Sequence, residues 1–135
     1  MRNILTADQF LISILATLKL CTRDDYVLED DVSLDQRFER AYETLLQHEK
    51  DLGVTPNFTF FRDPLHGNSV KLRNALLAAK ENGLLLQNTE RLFTYRLKMD
   101  NRRAEMYLSH SPLSREFLKD VVEEHFLAGS PTVTS

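Results

Sequence analysis

The sequence is poor in the residues that build covalent cross-links, phosphate-binding loops and membrane spans. Its 135 residues include one cysteine, four glycines, four prolines and no tryptophan. A single thiol, Cys21, cannot close an intramolecular disulfide, which is typical of a reducing cytoplasm. Four glycines argue against a glycine-rich loop that cradles nucleotide phosphates. The apolar runs fall short of the about 20 residues that cross a bilayer, so we expect no membrane partner.

Catalytic patterns are also missing. The chain has no Gly-x-Ser-x-Gly segment and no dinucleotide-binding fingerprint. None of the histidines at 48, 66, 110 and 125 has a cysteine or second histidine at metal-ligand spacing. The best candidate for a catalytic group is His66, with Arg62 and Asp63 nearby in sequence. We interpret it as a histidine in a turn, without a catalytic role. We therefore expect a non-enzymatic protein with no cofactor, no metal and no small-molecule substrate.

The composition is that of one globular domain. Hydrophobic residues make up 42% of the chain and charged residues 27%, enough for a real core in a soluble protein. We expect a single domain over residues 1–127 and a flexible tail over 128–135, where small and polar residues surround Pro131. The first residues lack a signal-peptide pattern, so we expect Met1 to begin the mature chain and the protein to be cytoplasmic.

Charge is distributed unevenly along the chain. The formal net charge is −3, but residues 62–103 contain nine Lys or Arg and four Asp or Glu. Residues 1–61 contain six cations and eleven anions, and residues 104–135 contain two and five. This basic segment, residues 62–103, favours a polyanionic partner such as a nucleic acid. The alternative is that these cations pair with the acidic flanks inside the same fold.

The first helix is predicted from Ala7 to Leu20. Thr6 and Gln9 have the spacing of a capping box, in which each side chain accepts from the other residue's backbone N–H. Apolar residues cover this helix almost all round, which indicates burial on two sides, either in the core of the monomer or against a second subunit. Cys21, at its end, is expected to be a buried structural thiol.

An acidic polar loop is predicted from Thr22 to Val32. Its carboxylates do not follow the Asp-x-Asp-x-Asp-Gly calcium pattern, so we interpret the segment as a solvated loop. If a partner protein uses it, the candidate contacts are Asp24, Asp25, Asp30 and Asp31.

Further helices are predicted on both sides of the centre. Ser33 and Gln36 form a second capping box that starts a helix ending at Leu52, with Gly53 as its stop. Residues 54–57 are expected to form a turn, and 58–61 a short strand. Asp100 or Asn101 is expected to cap a short helix. Pro112 is expected in the first turn of a last helix over residues 113–127.

The most informative stretch lies in the basic centre. Asn68 or Ser69 can cap a helix over residues 69–82. Its apolar stripe includes Leu72, Ala75, Leu76 and Ala79, and Gly83 is expected to end it in a left-handed conformation. Apolar residues then flank a short polar turn, which predicts a β-hairpin over residues 83–98.

This stretch carries a family resemblance. The residues concerned are Phe61, Gly67-Asn68-Ser69, Leu72, Ala75-Leu76 and Gly83-Leu84-Leu85. The span 61–95 resembles a winged-helix domain and, more loosely, small bacterial accessory and antitoxin-like proteins. With the helices predicted on either side, the expected fold is mainly α with a small β-hairpin: a winged-helix-like single domain with extra N- and C-terminal helices. The resemblance also implies binding of DNA, or of a partner protein, through the same helix and wing.

Two functions follow as hypotheses. The first is a regulatory, dimeric protein that binds double-stranded DNA through helix 69–82 and a wing at 87–92. Its candidate DNA contacts are Arg62, Lys71, Arg73, Asn74, Lys80, Arg91, Arg96 and Lys98. The second is a protein-interaction subunit, such as an adaptor, an antitoxin-like neutraliser or an accessory subunit of a larger system.

Overall fold

The computed structural model describes residues 3–22, 27–29, 32–58, 70–87 and 94–127. These residues form a mainly α-helical fold, as the sequence predicts, with two small sheets where the sequence predicts one hairpin. The elements in chain order are β1 (Asn3–Leu5), α1 (Ala7–Cys21), β2 (Val27–Glu29), α2 (Val32–Gln47), α3 (Glu49–Leu52), β3 (Val54–Pro56), α4 (Val70–Glu81), β4 (Leu85–Gln87), β5 (Thr94–Leu97), α5 (Asn101–His110), α6 (Arg115–Val122) and a π-helix (Glu123–Leu127).

Helix α1 is the central element of the hydrophobic core. Both halves of the predicted capping box are present: Gln9 N–H donates to the Thr6 hydroxyl (3.1 Å) and Thr6 N–H donates to the Gln9 side chain (3.0 Å). The helix packs against α4, α5 and α6, which bury its apolar face within the monomer. The monomer-core interpretation of its near-continuous apolar surface is therefore confirmed. The prediction for Cys21 is wrong, because the thiol at the helix end is exposed.

The predicted helix from 33 to 52 forms as two helices. Helix α2 begins at Val32, one residue before the predicted cap Ser33, whose side chain lies outside the described structure. The break falls at His48, whose ring Nδ1 lies 2.9 Å from the Thr44 carbonyl oxygen. The His48 backbone N–H donates to the Leu45 carbonyl (3.1 Å), three residues back, so the α-helical hydrogen-bond pattern is interrupted here. Gly53 ends α3 at φ 67°, as predicted for a stop.

The segment after Gly53 is a strand and not the predicted turn. β3 pairs in parallel with β1, with Ile4 opposite Thr55. The Asn57 N–H also donates to the Leu5 carbonyl (3.0 Å), which continues the pairing beyond Pro56. Phe58 lies outside the strand and is buried beside Phe10 and Tyr42. The rest of the predicted strand 58–61 lies outside the described residues.

The second sheet has three antiparallel strands in the order β2-β5-β4. The β4–β5 pair confirms the predicted hairpin, with Leu85 opposite Leu97. The prediction that residues 22–32 form only a loop is wrong, because β2 pairs with β5 along Thr94–Arg96. An isolated two-stranded hairpin is marginally stable in water, so the backbone hydrogen bonds to a third strand stabilise it.

Helix α4 and the hairpin are joined by a tight glycine turn. The predicted helix 69–82 is observed as Val70–Glu81. Gly83 adopts φ 76°, as predicted, and its N–H donates to Lys80 while Leu84 N–H donates to Ala79. This pair of bonds is the Schellman motif, which satisfies the last helical carbonyls and turns the chain at once into β4. The hairpin is therefore held in a fixed direction relative to α4.

The C-terminal helices cover the other side of α1. Asp100 caps α5, as predicted, by accepting from the Arg103 N–H at 2.8 Å. Pro112 lies before the N-cap Ser114 of α6 and not in the first turn, so that prediction is wrong. The predicted helix 113–127 is an α-helix to Val122 followed by the π-helix. Arg37 of α2 donates to the carbonyl of Phe126 (2.9 Å), whose ring packs edge-on against Phe38.

Among the described residues, no helix has the length and apolar character needed to cross a membrane. The predicted tail at 128–135 lies outside the described residues.

Candidate nucleic-acid interface

Helix α4 has an inner and an outer face. Leu72, Ala75, Leu76 and Ala79 are buried, as the sequence stripe predicts. The opposite face exposes Asn74, Leu77, Lys80 and Glu81. At 3.6 residues per turn, Asn74 and Leu77 lie opposite the buried stripe, whereas Lys80 lies about a quarter of a turn away, on one flank. The outer face therefore offers an amide, an aliphatic group, one amine and, at the last residue, a carboxylate.

Arg73 lies on the same flank as Lys80 but is half-buried. Burial lowers the pKa of its guanidinium, and the negative charge that Tyr95 can carry acts in the opposite direction. Tyr95 belongs to β5, so this flank of α4 is directed towards the hairpin. The structure therefore places Arg73 between the helix and the sheet, whereas the sequence predicts it on a freely exposed surface of the helix.

The hairpin exposes a second part of the candidate surface. Arg96 and Leu86 are directly opposite in the register, so they share a sheet face, and both are exposed. Tyr95 and Leu97 project from the other face, towards the core. Lys98 follows the strand and is exposed, while its backbone N–H donates to the Leu84 carbonyl (2.9 Å). We call Asn74, Leu77, Lys80, Arg96 and Lys98 the α4–β5 surface.

Two further arginines of the basic segment lie in the first turn of α5. Arg102 is exposed, and Arg103 is half-buried against Tyr107, to whose hydroxyl it donates at 2.9 Å. The guanidinium carbon also lies 5.7 Å from the centre of the Tyr107 ring, in a cation–π contact. Arg102 is absent from the predicted DNA contacts, although it belongs to the basic segment 62–103 whose charge excess points to it.

The alternative that the cations pair with carboxylates of the same chain concerns Lys98 and Arg102 in particular. Neither Lys98 nor Arg102 forms an ion pair with any residue in the described ranges. The nearby carboxylates have other contacts, since Asp100 caps α5 and Glu105 pairs with Arg115 of α6 at 2.6 Å. These two cations therefore remain available to an external anion as far as the described structure extends.

Several predicted contacts cannot be placed. Arg62 and Arg91 lie outside the described residues, as do most of the wing at 87–92 and the acidic candidates Asp24, Asp25, Asp30 and Asp31. Lys71 is described only through its backbone, in the first turn of α4. The structure thus brings Arg73 and Lys80 together on one flank of α4, and places Arg96 and Lys98 on the adjoining sheet.

A second surface, of opposite charge, was not predicted. A groove of about 350 Å³ runs between α2–α3 and α6 with the start of the π-helix. The described residues that line it include four exposed carboxylates and no lysine or arginine. We call it the acidic groove; its lining is Thr44, His48, Asp51, Leu52, Ser114, Glu116, Phe117, Asp120, Val121 and Glu124.

The walls of the acidic groove are fixed to one another. The His48 ring lies 5.7 Å from the Phe117 ring, measured between centres. The Thr44 hydroxyl donates to the Arg40 carbonyl, so at the 3.0 Å contact with His125 it accepts from Nε2–H. Its residues come from segments far apart in sequence, and so no local pattern indicates the groove. Within the described residues, no group of three metal-ligating side chains is positioned to hold an ion.

Comparisons of this chain with protein-family models, with curated proteins and with solved structures find no match. Function must therefore be inferred from the geometry and charge of the two surfaces.

Proposed function

We propose that this protein is a cytoplasmic, regulatory DNA-binding protein with a winged-helix arrangement, in which α4 enters the major groove and the β4–β5 hairpin forms the wing. The observation that carries the proposal is the α4–β5 surface. A helix with an exposed polar face leads through a fixed glycine turn into a three-stranded sheet that exposes Arg96 and Lys98. The family resemblance of residues 61–95 supports the same arrangement.

The proposed chemistry divides the surface into two roles. Lys80, Arg96 and Lys98 are cations suited to phosphate oxygens, which fix the register of a protein on the duplex. Asn74, in the middle of the outer face, has the donor and acceptor that can read a base edge. Phosphate contacts release counterions, so affinity falls steeply as salt concentration rises.

The proposal is tested by fluorescence anisotropy with a labelled mixed-sequence duplex at about 50 mM salt, where non-specific binding is strong. We expect binding that weakens with added salt. Lys98→Ala should weaken it, whereas Lys50→Ala, which removes an exposed cation from α3, should not. No change of anisotropy with the wild-type chain at low salt would remove the proposal.

A dimer is part of this proposal, because paired DNA-binding units recognise two half-sites. Helix α1 does not supply the dimer contact, since the monomer's own helices bury it. Sedimentation of the protein with and without duplex tests this part. A monomer that binds a single site at all concentrations would contradict it.

The acidic groove favours a second candidate function, a protein-interaction subunit whose partner presents basic side chains. Its lining combines four carboxylates with the Phe117 ring, against which a guanidinium can pack. Co-purification of a stoichiometric partner, lost in the double variant Glu116→Gln with Asp120→Asn, would support this function. A partner that still binds this variant would not be using the groove.

A further inference from the structure

Two side chains at the centre of the α4 outer face differ in chemistry from the cations at its flank. Asn74 and Leu77 are three residues apart, so they are neighbours on one helix face, and both are exposed. Leu77 keeps 53% of its surface accessible. The centre of the face is thus an amide beside an aliphatic group, without a cation.

The flank carries the charge. Lys80 is exposed there, and Arg73, which could otherwise read guanine, is half-buried beside the hairpin. A helix in the major groove has base edges in front of its central face and phosphates along its sides. On α4 the neutral side chains lie where they would face base edges. The cations lie where they would face phosphates.

The base preference follows from the groups that are exposed. An asparagine amide can donate to adenine N7 and accept from the N6 amino group, which is the bidentate contact specific to adenine. An apolar side chain can contact the C5-methyl group of thymine. The guanine contact requires arginine or lysine at the base edge, and neither is found at the centre of the described outer face.

The spacing along α4 matches neighbouring bases. Three residues advance a helix by about 4.5 Å, which is close to the roughly 3.4 Å separation of consecutive bases on one strand. Asn74 and Leu77 can therefore address one base pair or two consecutive pairs. Glu81 lies on the same face but at the last residue of α4, so the N-terminal part of the helix must enter the groove, away from that carboxylate.

We propose that α4 reads A·T pairs in duplex DNA, with Asn74 binding adenine and Leu77 covering a thymine methyl group. This inference rests on the proposed DNA-binding function. It names Asn74 and Leu77 as the residues that set specificity, and it makes Lys80 a contact that is indifferent to sequence.

The test is a competition of the full-length chain between duplexes of equal length. We expect an A·T duplex to bind at least about fivefold more tightly than a G·C duplex, the lower end for one bidentate base contact. Replacing thymine by deoxyuridine removes only the methyl group and should weaken wild-type binding by about fourfold, the factor for one buried CH₂. Replacing adenine by 7-deazaadenine removes N7 and tests Asn74 separately.

The variants distinguish direct readout from a general preference for A·T-rich DNA shape. Leu77→Ala should bind the thymine and deoxyuridine duplexes equally, and Asn74→Ala should lose the effect of 7-deazaadenine. Lys80→Ala should weaken binding to all duplexes by one factor. If the wild type binds DNA but ignores both base analogues, the inference is overturned and the proposed function stands. If it binds no duplex at all, both fail.

Discussion

The α4–β5 surface and the acidic groove are supported by the same core helix but have opposite chemistry. Helix α1 packs against α4 on one side and against α6 on another. The first surface exposes Lys80, Arg96 and Lys98 around a neutral centre, whereas the groove is lined by four carboxylates without a cation among its described residues. Within the described residues, these cations and these carboxylates therefore lie on different parts of the molecule. The chain separates its charges onto two surfaces, each suited to a different kind of partner.

The largest expected effect on stability comes from comparing substitutions on the two faces of α4. Leu76 is 2% exposed, so Leu76→Ala should lower the free energy of unfolding by about 2–5 kcal/mol through lost contacts and a cavity. The matched control Leu77→Ala, on the outer face, should change it by less than about 0.5 kcal/mol. Urea unfolding of both variants measures this. A loss below about 0.5 kcal/mol for Leu76→Ala would mean that the stripe does not face the core.

A smaller effect compares the glycines that end the helix beside each surface. Gly83 after α4 and Gly53 after α3 have φ of 76° and 67°, and no atom lies within 4 Å of an added Cβ at either position. Either glycine replaced by alanine should lose about 1–2 kcal/mol from backbone strain alone. Only Gly83→Ala should also weaken DNA binding, because it disturbs the direction of the hairpin. Equal DNA binding by both variants would show that this direction does not matter.

A third prediction concerns the groove. The double variant Glu116→Gln with Asp120→Asn should leave stability within about 0.5 kcal/mol, since both carboxylates are exposed. Its affinity for duplex DNA should stay the same or rise slightly, because two negative charges are removed from the chain. Anisotropy with the same labelled duplex measures this. Weaker DNA binding would mean that the two surfaces are not separate in function.

The smallest effect is at Cys21, where α1 ends near the acidic side. Although the Cys21 side chain is exposed, the surrounding protein partly desolvates its thiol and raises the pKa; the nearby Glu123 raises this pKa further and Lys119 lowers it. A raised pKa leaves less reactive thiolate near pH 8, so alkylation should be slower than for an unstructured cysteine. Glu123→Gln should accelerate alkylation and Lys119→Gln should slow it. The reverse order would show that these charges do not act on the thiol.

Local patterns were enough to predict the elements that build the α4–β5 surface. The stripe of Leu72, Leu76 and Ala79, the stop at Gly83 and the following hairpin are all set by residues close together in sequence. Because the stripe fixes which side of α4 is buried, it also predicts that Asn74 and Lys80 are exposed. The caps at Thr6 and Asp100 are local in the same sense.

The features that sequence reasoning missed depend on distant contacts. Strands β1, β2 and β3 have three residues each, and their partners lie far along the chain. Arg73 is half-buried and lies within the electrostatic influence of Tyr95, which belongs to β5, more than 20 residues further along the chain. The acidic groove combines residues of α2–α3 and α6, so it exists only once these helices pack.

The most direct test of the account is the salt dependence of duplex binding by the intact chain. Two double variants remove the same charge: Lys80→Ala with Lys98→Ala from the α4–β5 surface, and Lys50→Ala with Lys119→Ala from the groove side of the molecule. Each phosphate contact contributes about one unit to the slope of log affinity against log salt concentration. We predict that the first variant lowers this slope by about two units and the second leaves it unchanged. Equal slopes for both variants and the wild type would contradict DNA binding through the α4–β5 surface.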